Sequence, residues 1–145
     1  MFTKKKIIKV SFPKQKDLGK REWGKERLLV LISKKISLKL LQIKKGKKGG
    51  LQYHHKKNEC GYLISGKLLV RYYSGGKKLK KRVLSSGDSF HFPPGSIHQE
   101  QAITNCKIIE ASTPYFNDRV RVENKFGIKI RSGLPTTKKS EVKLK

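Results

Sequence analysis

The sequence has little acid, little cysteine and no long apolar run. Only 10 Asp and Glu stand against 36 Lys and Arg, a formal net charge of +26. Such a surplus draws anions of several kinds: nucleic acid, anionic membrane or phosphorylated metabolites. The lysines recur at nearly every expected turn, however, as in KKK 4–6, KKGKK 44–48, KK 56–57, KKLKK 77–81 and KK 138–139. A nucleic-acid footprint concentrates on one face or stripe, and no basic motif interleaved with stacking aromatics accompanies this charge. The two cysteines, Cys60 and Cys106, lie far apart without a CxxC pair, so neither a thiolate zinc site nor a disulfide framework is indicated. Both are expected to be small buried apolar residues. No segment approaches the roughly 18 apolar residues of a membrane-spanning helix, and the N-terminal MFTKKKIIKVSF has no apolar core of signal-peptide length. The expectation is a soluble cytoplasmic protein that does not engage membrane.

Sustained 3.6-residue periodicity is also missing. In its place stand short β-rich stretches: RLLVLI 27–32, SLKLLQI 37–43, LQYHH 51–55, GYLISG 61–66, KLLVRYY 67–73, KRVLS 81–85, DSFHF 88–92, HQEQAI 98–103 and CKIIEAS 106–112. The breakers KKGKKGG, SGGKK, SSGD, PPGS and TN separate them. This pattern predicts an all-β sandwich or closed barrel, with one short helix near the N-terminus or in the tail. A chain of 145 residues forms one domain with its own core. The polar stretch from Thr136 is expected to fray.

Side chains two apart on a strand share a face, so Gln52 and His54 point one way while Tyr53 and His55 point the other. If the chain turns at KKN and pairs with the next strand, Glu59 returns beside them. Later, in GDSFHFPPGSIHQE, prolines and Gly95 shape a tight turn that opens onto His98. An amide oxygen, two imidazoles and a carboxylate converging from different strands are a donor set for a divalent metal.

The spacing carries a resemblance. The first block reads Gly46, five residues, Gln52, one residue, His54, four residues, Glu59, six residues, Gly66; the second reads Gly87, five residues, Pro93, one residue, Gly95, two residues, His98. Both resemble the two signature blocks of the cupin superfamily, with Gln52 where the first histidine of the usual HxH stands. LQYHHKKNE is similar to the metal-binding block of the cupin-type mannose-6-phosphate isomerases and of the isomerase half of the bifunctional mannose-1-phosphate guanylyltransferases. REWGKE 21–26 and STPYFNDRVRVENKFG 112–127 resemble segments flanking the barrel in such proteins. The chain departs from that pattern at Lys56, where histidine is frequent, and at Ala102, where asparagine or a similar residue is.

The resemblance implies a single cupin barrel, a double-stranded β-helix or jelly roll. Residues 1–26 would pack on it as an extension, 27–114 would form the barrel, 115–131 would pack near it, and 132–145 would be a disordered basic tail. It implies a divalent metal, foremost zinc with Mn, Fe, Ni or Co as alternatives, held by Gln52, His54, Glu59 and His98. The expected activity is aldose-ketose isomerisation of the mannose-6-phosphate to fructose-6-phosphate type, on a sugar phosphate or nucleotide sugar. Lys44, Lys56, Lys57, His91 and Arg121 are expected near the anionic substrate; the base is left open among Glu100, Glu110 and metal-bound water. Arg119, Arg121 and Glu123 either close over the pocket or form a solvated charge run. Competing readings are a metal-dependent cupin dioxygenase, a sugar-binding or regulatory cupin without catalysis, and, from charge alone, nucleic-acid binding. A homodimer is the expected assembly.

Overall fold

The computed structural model describes residues 6–128. Eleven strands form two antiparallel sheets. The first sheet runs, in spatial order, β1 (Lys16–Arg21), β2 (Gly24–Ile32), β3 (Ile36–Ile43), β10 (Cys106–Ser112), β5 (Glu59–Ser65) and β8 (Ser89–Phe92). The second runs β11 (Arg119–Arg121), β4 (Gln52–His54), β9 (His98–Ala102), β6 (Lys67–Tyr72) and β7 (Lys80–Ser85). The all-β barrel expected from the strand pattern is what the described residues form.

Alternation decides which residues enter the barrel. On β3 the buried positions are Ser37, Lys39, Leu41 and Ile43, and on β10 they are Cys106, Ile108, Glu110 and Ser112. Register then sorts them by polarity. Leu41 lies opposite Ile108 and Ile108 opposite Leu63, whereas Ser37 pairs with Ser112, Ser112 with Glu59, and Lys39 with Glu110. In the second sheet Leu68 faces Ala102 while Tyr72 faces His98. The interior is therefore graded, with an apolar floor of Leu41, Ile43, Leu63, Leu68, Cys106 and Ile108 and a polar mouth of Ser37, Lys39, Glu59, His98, Glu110 and Ser112. Trp23 and Phe90 pack against the floor, which is the covering role of a lone tryptophan near a barrel end.

Two glycines of the signature blocks make turns at positive φ, where a side chain would be strained. Gly66 links β5 to β6 at φ 97°, where an added Cβ would fall 2.2 Å from the Asn105 carbonyl oxygen. Gly95 turns at φ 85° and donates its N–H to the His54 carbonyl at 2.8 Å, tying the two blocks together.

Several expectations need correction. The sheet reaches back to Lys16 through a β1–β2 hairpin, while residues 6–15 form no strand and leave Ile7, Ile8, Val10 and Phe12 exposed. No α-helix occurs among the described residues; the short helix near the tail is a single 3-10 turn, Glu123–Phe126. Nor do the described residues include a helix long and apolar enough to cross a membrane. Cys106 is buried, but Cys60 is exposed, because alternation on β5 turns it away from the interior that its neighbours Glu59 and Gly61 face. The basic tail 132–145 lies outside the described residues.

Leu63 is fully buried in the apolar floor. Leu63→Ala should cost about 2–5 kcal/mol, read in urea as a lowered midpoint with an unchanged slope.

Candidate metal centre

Gln52 and His54 do share the inner face of β4, as strand alternation requires, and Gln52 stands directly opposite His98 in the β4–β9 register. Glu59 arrives differently from expectation. The chain does not fold into a β4–β5 hairpin; β4 and β5 belong to opposite sheets. Residues 55–58 cross between them, and Glu59 meets the histidines across the barrel interior. The crossing is pinned by Asp118, which is 1% exposed. Its Oδ2 accepts the N–H groups of Lys56 at 2.8 Å and Lys57 at 2.7 Å. Thr113 closes the far end, its hydroxyl accepting the Asn58 N–H at 3.0 Å while its own N–H donates to the Asn58 carbonyl.

His54, Glu59 and His98 offer ligand atoms that all lie within 4.8 Å of one another. Glu59 Oε1 is 3.1 Å from His98 Nε2 and 3.6 Å from His54 Nε2. The outer nitrogens fix the roles of the inner ones. His54 Nδ1 is 2.8 Å from Asp118 Oδ1, and His98 Nδ1 is 3.0 Å from the Ser96 carbonyl. Both partners are acceptors, so each Nδ1 carries a hydrogen, and in the neutral ring each Nε2 presents a lone pair to the interior. Burial lowers the pKa of His54 against the pull of Glu59, which favours the neutral imidazole that binds metals. Phe92 stacks on His98 with centroids 3.8 Å apart and holds its ring plane.

Two imidazole lone pairs and a carboxylate oxygen thus point at one another. The Oε1 of Gln52 is buried and finds no hydrogen-bond partner among the described residues. With both rings neutral, acceptors converge here without a donor, a costly arrangement that a cation relieves. The His54, Glu59 and His98 cluster therefore fits a divalent metal.

Lys57 is the neighbour whose role differs most from its sequence reading. Expected as a contact to an anionic substrate, its Nζ instead lies 3.1 Å from Glu59 Oε2 and 3.4 Å from Glu110 Oε1, buried inside the barrel. Burial alone would lower its pKa, but Glu110 and Glu59 outweigh that and raise it, so the ammonium persists. Glu59 shows the converse: burial pushes its carboxyl up, yet His98, Lys57 and His54 together hold it well below the usual range. Its two oxygens are divided, Oε1 toward the imidazoles and Oε2 toward the ammonium.

The other expected substrate contacts scatter. Lys44 lines a separate cavity of about 280 Å³ with Gly24, Ile43, Asn105 and Cys106, away from the histidines. Lys56 is exposed, and His91 is exposed with Nε2 2.7 Å from Asn58 Oδ1. Arg121 is 8% exposed and paired with Glu123, whose Oε1 also accepts the Leu51 N–H at 3.1 Å. This pair ties the C-terminal segment to the start of β4, so neither residue belongs to a solvated charge run. His55 points away from the cluster, its ring edge-on to Tyr53. Sequence reasoning missed Asp118 itself. The signal was its place in STPYFNDRVRVENKFG, the segment that resembles a flank of related barrels, but no local pattern ties it to His54.

The comparisons with known proteins agree with this architecture. The cupin domain family model matches residues 39–111, half of the chain. The protein is a cupin. No curated protein matches its sequence. Among solved structures the cupin resembles the capsular polysaccharide assembling protein CapF from Staphylococcus aureus, with TM-score 0.65 and 19% identity, over 77% of this chain and 35% of that one. It also resembles KdgF from Halomonas sp., with TM-score 0.59 and 19% identity, over 71% of this chain and 89% of that one. A Streptococcus pyogenes protein, SPY1581, aligns with TM-score 0.51 and 15% identity, over 61% of this chain and 71% of that one. This chain thus spans about a third of CapF, and at these identities the likeness is one of fold.

Asp118→Asn keeps the side-chain size but removes the charge behind His54. It should weaken divalent-metal binding about 10–100-fold, measured by competition with a chromophoric chelator.

Proposed function

We propose that this cupin is a metal-dependent sugar-phosphate isomerase of the mannose-6-phosphate to fructose-6-phosphate type. The observation that carries the reading is the donor set: two imidazoles, one carboxylate and one buried unpartnered amide oxygen, at the spacing of the isomerase block. Gln52 as a fourth donor distinguishes the set from the two-histidine, one-carboxylate triad of iron oxygenases, and so favours isomerisation over dioxygen chemistry.

A metal held by Gln52, His54, Glu59 and His98 would supply Lewis acidity toward the substrate's carbonyl and hydroxyl oxygens. The chain's own residues do the rest. Asp118 and the Ser96 carbonyl keep both imidazoles in one tautomer, and Phe92 keeps one ring plane. Lys57 engages the second oxygen of Glu59, so that carboxylate offers one oxygen to the site. Aldose-ketose exchange also needs a group that carries a proton between two adjacent carbons. Of the interior carboxyls left open by the sequence, Glu110 is engaged by Lys57. Glu100 follows His98 by two on the inner face of β9, and its carboxyl makes no hydrogen bond or ion pair with a described residue. We therefore assign the proton transfer to Glu100.

Metal analysis of the purified full chain tests the first half of this reading: wild type should carry stoichiometric divalent metal and His54→Ala and His98→Ala should lose it. Stoichiometric metal in both variants would overturn the site. For the second half, wild type should exchange the C2 hydrogen of mannose-6-phosphate with solvent deuterium, followed by NMR. Glu100→Gln should lower that exchange by at least about 100-fold while retaining metal; undiminished exchange would remove Glu100 from the role.

A further inference from the structure

At the mouth of the barrel, one arginine is left without an acid of its own. Glu26 on β2 bonds Lys39 Nζ through Oε1 at 2.6 Å and Arg21 Nε through Oε2 at 3.1 Å, so each of its oxygens already has a partner. Glu123 is bonded to Arg121. Arg119 lies in the field of all four of Arg21, Glu26, Arg121 and Glu123, yet its side chain makes no hydrogen bond or ion pair with any described residue. Its Nε is buried without an acceptor. Burial and the two neighbouring arginines both disfavour its charge, and the two glutamates only partly offset them. Of the four cations Arg21, Lys39, Arg119 and Arg121, three each have a carboxylate partner, and Arg119 alone has none among the described residues.

Position makes this unpartnered guanidinium informative. Arg119 is directly opposite His54 in the β11–β4 ladder, and residues so paired extend their side chains from the same face of the sheet about 4.5–5.5 Å apart. Arg119 therefore rises beside the metal centre, on the second sheet, while Arg21 approaches from β1 on the first, its side chain 47% exposed. A guanidinium offers a planar fork that matches a phosphate through two parallel N–H donors. A phosphate monoester carries about 1.5–2 negative charges near neutral pH and supplies the acceptor oxygens that the Arg119 Nε lacks.

We propose that Arg119, supported by Arg21, anchors the phosphate group of a phosphorylated small-molecule ligand at the barrel mouth, leaving the rest of that ligand to reach the His54, Glu59 and His98 cluster. The inference deepens the sugar-phosphate reading and rests on it for the nature of the ligand's remainder. It replaces the lysines named from sequence proximity with an arginine that proximity did not single out.

The test is a binding titration of inorganic phosphate to the metal-free full chain by calorimetry at fixed ionic strength, with mannose-6-phosphate and mannose in parallel. Wild type should bind both phosphates in a saturable one-to-one manner and not bind mannose. Arg119→Gln should weaken phosphate binding at least about tenfold, Arg119→Lys should fall between, and Lys107→Gln, an equal loss of charge on the outer surface, should leave it unchanged. Equal weakening by Arg119→Gln and Lys107→Gln would mean the net charge alone attracts phosphate, and would overturn the assignment, as would unchanged binding in Arg119→Gln. If Arg119→Gln does not fold by circular dichroism, Arg119→Lys with Arg21→Gln decides the same question. Arg119-dependent phosphate binding without C2 exchange would sink the isomerase and keep the anchor; C2 exchange with the KM of mannose-6-phosphate unmoved in Arg119→Gln would do the reverse.

Discussion

One buried carboxylate holds the site in register. Asp118 fixes His54 through Oδ1 and the crossing segment through Oδ2, so the orientation of one imidazole and the path of the chain toward Glu59 share a single support. Without it, the four residues between His54 and Glu59 lose the acceptor of two amide donors, one of them on the buried Lys57. The crossing is what allows the first signature block, continuous in sequence, to supply ligand atoms from two facing sheets.

Much of the rest follows from the grading of the barrel interior. Antiparallel register lines up Ser37, Lys39, Glu59, Glu110 and Ser112 at one end of the first sheet and Leu41, Leu63 and Ile108 toward the other. The apolar end excludes water and supplies the core, and the polar end is affordable only because its charges are paired: Lys39 with Glu26, and Lys57 with Glu59 and Glu110. Buried ion pairs of this sort add little net stability, but removing one partner leaves a charge that the interior cannot solvate. They therefore define where the polar groups must sit more than they hold the barrel together.

The sequence made the barrel legible because period-two alternation and turn residues act locally. It also made the separation of His54 from His55 legible, since adjacent residues on a strand cannot share a face. It did not reveal that β4 and β5 part company, because the choice between a hairpin and a crossing is made by Asp118 and Thr113, more than fifty residues downstream. The same limit applies to charge. Lys57 and Arg121 sit close in sequence to presumed ligands or in a charged run, yet both are buried against glutamates, whereas Arg119, two residues from Arg121, is left without one. Only the pairing of side chains across strands separates a structural cation from an available one, and sequence proximity carries no such information. Cys60 was misjudged for a simpler reason: alternation on β5 would have turned it outward once Glu59 was placed inside.

The arginines and lysine around the mouth have a kinetic side as well. A chain with net charge +26 surrounds itself with a positive potential that speeds the arrival of anions and slows that of cations, both effects shrinking as added salt shortens the screening length to about 10 Å at 0.1 M. A divalent ion and a phosphorylated ligand approaching the same opening would thus travel along opposite gradients. Raising ionic strength would hasten the loading of one and delay the capture of the other.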